Sequence, residues 1–228
     1  TPAGQRAVVH ARQILRQYEV LVTESRDAAA GTVTGTVRIA AFRSAAAHLL
    51  PPALETLAAR HPNVVPQVLI VPELNRGTAG EVADGRADVG IATLAEDQDP
   101  LPGLSAVELL REPYFLVRPK GRKDISDLPL IDWAENCSSY TRTWWARQDW
   151  LPATRIDVAD DGVVLSMVAK GIGFAVLPEL TLSDPHPGVE VLPLDGVPPT
   201  RRLVLVTTPA TARGVAVREL IRGLREFR

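Results

Sequence analysis

From Thr36 onward, short apolar runs alternate with amphipathic ones, and this alternation restricts the chain to few folds. Thr36 to Ala41 (TVRIAA) is predicted as a buried strand. Ser44 then offers an N-cap hydroxyl to a helix reaching about Arg60, which His61-Pro62 stops. Val65 to Val71 is the next predicted strand. A short helix near Thr78 to Asp84 closes at Gly85, and Asp88 to Thr93 (DVGIAT) is a third strand. The order β-α-β-α-β is that of a parallel sheet with helices on its faces.

Ser105 to Leu110 and Tyr114 to Arg118 follow as strands, with Glu112-Pro113 expected to split them. A second round comes next: strand Leu130 to Trp133, loop Cys137 to Tyr140, a helix to about Trp150, and strand Arg155 to Val158. Asp160 or Asp161 is expected to cap a helix ending at Lys170-Gly171, before strand Phe174 to Leu177. Val189 to Leu194 and Arg202 to Thr207 are predicted strands, and Val215 to Phe227 a closing amphipathic helix. Two α/β units in tandem predict two lobes.

Ahead of them, residues 2–29 are predicted as one helix. Val8, Ala11, Leu15, Tyr18 and Val22 fall at steps of three and four, the spacing of a coiled-coil seam, and Ile14 and Leu21 widen the stripe. Arg6, Arg12, Arg16, Glu19 and Glu24 take the remaining surface. The seam is expected to pair subunits; the alternative is an amphipathic helix packed on its own domain.

The 228 residues are 46% hydrophobic and 23% charged, enough apolar material for packed cores, and the net charge of −2 disfavours DNA binding by these residues themselves. A single cysteine, Cys137, excludes a disulfide framework or a cysteine zinc site and fits a reducing cytoplasm. No apolar run reaches membrane-span length and no signal peptide opens the chain. Because the first residue is Thr1, a natural N-terminus is expected upstream. His10, His48, His61 and His186 have no metal-ligand spacing, and neither a phosphate-cradling loop nor a nucleophile elbow is present. Asp160-Asp161 are adjacent, so their side chains diverge. Neither catalysis, a metal nor a cofactor is expected.

Four motifs occur in an order that resembles the LysR-type regulator family. They are Thr1-Pro2-Ala3-Gly4-Gln5-Arg6 with His10 to Leu15, Val37-Arg38-Ile39-Ala40 with Leu49-Leu50-Pro51, Gly85-Arg86-Ala87-Asp88-Val89-Gly90, and Val168 to Pro178. Ala40 stands where glycine is common in the family. The resemblance implies two Rossmann-like lobes of periplasmic-binding-protein type, joined by two crossover strands and preceded by a linker helix. The implied divisions are 1–31 for the linker, 32–111 with 208–228 for lobe I, and 112–207 for lobe II. It further implies a small effector in the cleft between the lobes, a bacterial homodimer or homotetramer, and promoter DNA contacted only through a winged helix-turn-helix preceding Thr1.

In such a fold, ligands lie beyond the carboxyl ends of strands, where helix N-termini aim free N–H groups outward. The candidate effector contacts are therefore Phe42, Arg43, Ser44, Asn75, Thr93, Ser138, Ser139 and Asp161. Hydroxyls and helix ends together suit a carboxylate. Ser44 and Ser139 could equally serve as plain N-caps, Arg43 could sit in solvent, and Asp161 could only cap its helix. Trp144, Trp145 and Trp150 are placed on one helix, with Trp144 diverging from the other two and packing favoured over ligand stacking. A secreted solute-binding protein is the competing reading; an exposed apolar helix stripe favours the regulator.

Overall fold

A computed structural model describes residues 1–95, 98–133, 135, 139–159 and 161–226. Cys137, Ser138 and Asp160 lie outside the described residues. Helix α1 spans Pro2–Ala30. Thr1 caps it, its Oγ1 accepting from the Gly4 N–H at 3.2 Å, and Pro2 occupies the first turn, where a missing N–H costs nothing. Gly31 closes it at φ 66°, the left-handed conformation glycine adopts without strain.

The chain divides into two compact units, one of residues 1–110 with 203–228 and one of residues 111–202. It passes from the first to the second inside β4 (Ser105–Pro119) and returns inside β9 (Thr200–Thr207). The fold is mixed α/β, of the periplasmic-binding-protein-like kind, with a long N-terminal helix.

In the first unit, strands β1 (Gly35–Ala41), β2 (Val64–Ile70) and β3 (Val89–Leu94) join β9 and β4 in the order β2-β1-β3-β9-β4. β1 is parallel to both neighbours, Ile39 facing Val68 on one side and Val89 on the other. Helices α2 (Arg43–His48), α3 (Leu50–Arg60), α4 (Gly77–Ala83) and α7 (Val215–Arg225) complete it. Ile39, Leu50, Leu57, Ile91, Leu205 and Leu220 are almost wholly buried in its core. Gly223 of α7 sits where a Cβ would lie 3.3 Å from the Cα of Ala53 on α3, so a side chain there would push the two helices apart.

The predicted helix from Ser44 to Arg60 is in fact two. α2 ends at His48, and α3 starts after the Leu49 turn. Pro51 and Pro52 cannot donate to the carbonyls four residues back, which interrupts the ladder there. The N-cap of α2 is Phe42, without a side-chain bond, and Ser44 lies inside the helix rather than capping it.

In the second unit, β5 (Leu130–Trp133) pairs in parallel with β6 (Arg155–Val158). The later half of β4 pairs antiparallel with β7 (Ala175–Pro178) and β8 (Val189–Pro193). Helix α5 is Ser139–Trp145 and α6 is Val164–Ala169, the latter preceded by a 3-10 turn at Asp161–Val163. Asp161 therefore opens that turn rather than capping an α-helix. Helix α5 stops five residues short of Trp150, its end tightening into bonds from Arg147 N–H to Trp144 O and from Gln148 N–H to Trp145 O. Trp145 is buried, whereas Trp144 meets Trp150 edge-on at 6.4 Å, so the expected pairing of Trp145 with Trp150 is replaced.

β4 continues through Glu112-Pro113, contrary to the predicted break. The Glu112 carboxylate, 1% exposed, accepts from the Leu180 N–H at 2.5 Å and from Arg201 Nε at 2.5 Å, anchoring the strand at the proline. Gly173 explains its place in the Gly-Ile-Gly segment: a Cβ would lie 2.5 Å from the Pro129 carbonyl oxygen and 2.8 Å from Ile131 Cγ1. No described helix is long and apolar enough to cross a membrane.

Candidate functional site

Three parallel strands of the first unit deliver the candidate contacts of that unit to their carboxyl ends. β1 runs into Phe42, Arg43 and Ser44, β2 into the loop that carries Asn75, and β3 ends around Thr93. Phe42 and Ser44 are buried, at 2% and 5% exposure, while Arg43 and Asn75 are exposed. Asn75 holds φ 56°, a left-handed conformation asparagine tolerates better than most residues. Thr93 is half-buried.

A residue the sequence reading missed organises this end. The Glu73 carboxylate accepts from the Thr78 N–H at 3.0 Å through Oε2 and from the Thr93 N–H at 3.0 Å through Oε1. It fills the position an external anion would take at the start of α4. Gly77, at φ 44°, makes the room: a Cβ there would lie 2.5 Å from Glu73 Oε2. The backbone donor of Thr93 is thus used internally, contrary to its expected role as a free N–H. An acid beside Pro72 in a loop reads as solvated; the glycine four residues on was the available signal.

In the second unit, Ser139 begins α5 after β5, and Asp161, 8% exposed, follows β6. Because β5 and β6 are adjacent and parallel, with Trp133 facing Val158, both residues follow neighbouring carboxyl ends. Among the described residues no group of His, Cys, Asp or Glu side chains is placed to hold a metal ion.

A second constellation lies at the other ends of β1 and β3. Asp88 immediately precedes β3, and its side chain is 1% exposed. Arg16 of α1 meets it with two bonds, Nε to Oδ1 at 2.5 Å and Nη2 to Oδ2 at 2.7 Å. Oδ2 also accepts from the Arg38 N–H at 2.7 Å, and Arg16 donates further to Thr36 O and Glu19 Oε2, both at 2.9 Å. Burial by itself lowers the affinity of Arg16 for its proton, but the bonds and charge of Asp88 and Glu19 more than offset it and raise its pKa above the ordinary value. Glu19 is held below the usual carboxylate range, first by the hydrogen bond from Arg16, which with the charges of Arg38 and Arg16 outweighs the opposing effect of burial.

Gly85 and Asp88, the first and last residues of the Gly-Arg-Ala-Asp segment, both serve this contact. At Gly85 a Cβ would come 3.3 Å from the Gln13 backbone nitrogen, so α1 approaches where the side chain is missing. Gln13 Nε2 donates to Ala83 O at 2.8 Å, and Asp27 accepts from Thr34 N–H at 2.7 Å and Thr34 Oγ1 at 2.8 Å. Val8, Ala11, Leu15 and Tyr18 of the predicted seam are exposed, as are Ile14 and Leu21, whereas Val22 is half-buried. A cavity of about 490 Å³ remains under the helix, lined among others by Val20, Thr23, Val33, Val37, Gly214 and Val217.

Comparison with known proteins agrees with this architecture. Residues 30–228 match the family described as the LysR substrate binding domain. The probable HTH-type transcriptional regulator LrrA of Synechococcus elongatus is 28% identical over 191 residues, covering 79% of this chain and 62% of that protein. The HTH-type transcriptional regulator IlvY of Escherichia coli is 29% identical over 209 residues, covering 82% of this chain and 66% of that protein. The chain thus spans a little under two thirds of the length of these relatives. A full-length OxyR variant from Pseudomonas aeruginosa superposes with a TM-score of 0.72 at 20% identity, covering 99% of this chain and 76% of that one, a likeness of fold. The Gly-Arg-Ala-Asp segment, the parallel strands and the family match over 30–228 place the chain in the LysR substrate binding domain family.

Proposed function

We propose that this chain is the effector-sensing and oligomerisation part of a LysR-type DNA-binding transcription regulator working in the cytoplasm. The observation that carries the reading is the family match over 30–228 behind a long helix with an exposed apolar stripe. Specific promoter contacts belong to a winged helix-turn-helix on the N-terminal side of α1, in keeping with the HTH-type names of relatives longer than this chain. The stripe of Val8, Ala11, Leu15 and Tyr18, with Val22 at its edge, pairs α1 with a second copy in a homodimer or homotetramer.

The effector is a small organic anion, a carboxylate being the simplest. In the first unit the turn Phe42-Arg43-Ser44 receives it, with Asn75 and Thr93 beside it. In the second unit the candidates are Ser139 and Asp161, together with Ser138. Glu73 already occupies the start of α4, which directs an incoming anion toward the start of α2 instead.

A thermal-shift panel of small aliphatic and aromatic carboxylates tests this. A ligand present at a hundred times its Kd stabilises by about 2.7 kcal/mol. Loss of a charge-assisted hydrogen bond of about 1.5–3 kcal/mol weakens binding roughly ten- to a hundredfold, so Ser44→Ala should reduce the shift by that factor in affinity. A panel in which no carboxylate raises the melting point at millimolar concentration refutes the choice of effector. An unchanged affinity in Ser44→Ala removes that residue from the site.

A further inference from the structure

Helix α1 meets the first unit with a face that is half polar, unlike that of a core helix. Among the described residues its half-buried positions are Val9, Gln13, Arg16, Val20, Val22, Thr23 and Asp27, four of the seven polar, while Ile14, Leu15, Tyr18 and Leu21 face solvent at 62–66% exposure. The cavity of about 490 Å³ beneath it leaves little close apolar packing. Directional bonds supply much of the attachment, from Gln13 to Ala83 O, from Arg16 to Asp88 and Thr36 O, from Arg38 to Glu19 and between Asp27 and Thr34. Asp88 is the buried charge among them. Lifting α1 away would leave that carboxylate without its guanidinium, a state that is strongly disfavoured.

We propose that the Arg16–Asp88 pair is a latch that holds α1 on the first unit and ties its position to strands β1 and β3. The same carboxylate that receives Arg16 receives the Arg38 N–H of β1, and the Asp88 N–H donates back to Arg38 O at 2.8 Å. Asp88 also leads directly into β3, and its carbonyl accepts from Thr207 Oγ1 of β9 at 2.7 Å. Phe42 lies four positions beyond Arg38 and Thr93 five beyond Asp88, roughly 13–17 Å of strand at about 3.3 Å per residue. A shift of β1 against β3 at the far end changes the geometry of the one carboxylate that both strands and the helix share. The latch itself needs no effector. Its regulatory meaning rests on the sensor reading above.

Hydrogen exchange on the full 228-residue chain, without added ligand, tests the latch. Arg16→Met keeps the aliphatic bulk and removes the charge. Amides of residues 13–27 should then exchange at least tenfold faster, equal to about 1.4 kcal/mol. Amides of 36–42 and 89–93 should loosen with them, and those of β5 and β6 should not change. Adding Asp88→Asn to Arg16→Met removes the stranded charge. That pair should recover melting temperature relative to Arg16→Met alone while α1 stays fast. Unchanged exchange in α1, or an equal rise in both units, would overturn the latch. Loosening of α1 with no change in β1 or β3 would overturn the coupling. A failed carboxylate panel alongside accelerated α1 exchange would sink the choice of effector and leave the latch standing.

Discussion

Glu73→Ala should destabilise the first unit and make it responsive to simple anions. The carboxylate receives two backbone N–H groups, those of Thr78 and Thr93, at 3.0 Å each. Thr78 is fully buried, so its orphaned N–H bears the desolvation penalty of about 1–3 kcal/mol. Thr93 is half-buried and water can replace part of its bond, adding about 1 kcal/mol more. The sum is about 2–4 kcal/mol, or roughly 4–16 °C in melting temperature for a chain of this size. Differential scanning fluorimetry in chloride buffer measures the drop. Acetate or formate at tens of millimolar should then restore part of it in Glu73→Ala and none in the wild type, because Gly77 leaves the carboxylate position open. Gly77→Ala should be costly alone and cheaper on the Glu73→Ala background, since its worst contact is with Glu73 Oε2. A loss below 1 °C, or equal effects of acetate on both proteins, refutes the account of Glu73 as an internal anion.

Leu15→Asp combined with Tyr18→Asp should lower the mass seen by light scattering, since both side chains are more than 60% exposed on α1 and contribute little to its docking; an unchanged mass argues against the seam. Gly173→Ala should destabilise the second unit by about 1–3 kcal/mol or more, because the new methyl meets the Pro129 carbonyl at 2.5 Å, and an unchanged denaturant midpoint would contradict that geometry. Glu19 has its folded pKa depressed, chiefly by the Arg16 hydrogen bond, so its contribution is present above the unfolded value of about 4.3 and is lost as pH falls through the folded value. The melting-temperature difference between wild type and Glu19→Gln should accordingly vanish under acid conditions; a difference that grows there reverses the sign and refutes it.

Local chemistry made much of the fold legible. Helix α1 is legible because Val8, Ala11, Leu15, Tyr18 and Val22 recur at steps of three and four along it. The parallel strands β1 and β3 stand out as apolar runs because burial on both faces removes polar alternation. Where the reading failed, the deciding partner was distant or the local signal was outvoted. Glu112 is 89 residues from Arg201, and their pairing anchors β4 where Pro113 was expected to break it. Arg16 and Asp88 are 72 residues apart; the Gly-Arg-Ala-Asp segment was noticed, but no spacing rule links it to an arginine on the first helix. Pro51-Pro52 mark the break at Leu49, but reading from a cap at Ser44 to the stop at His61-Pro62 merges α2 and α3 into one helix. In the candidate site the strand ends are legible, and the use of the Thr93 N–H by Glu73 is not, because Gly77 marks the room beside the carboxylate but not the backbone donors it reaches.

The passage of the chain out through β4 and back through β9 has a consequence for synthesis. The first unit is encoded in two pieces separated by all 92 residues from 111 to 202. As the chain leaves the ribosome, β1, β2 and β3 emerge long before β9, and α3 waits for the α7 glycine that fits against Ala53. The second unit, continuous in sequence, is complete first. At roughly 5–20 residues per second, those 92 residues hold the apolar surface of the first unit open for about 5–20 s before its last strand and helix arrive. During that window the half-built sheet depends on chaperones or on its own local helices to avoid pairing with another nascent chain.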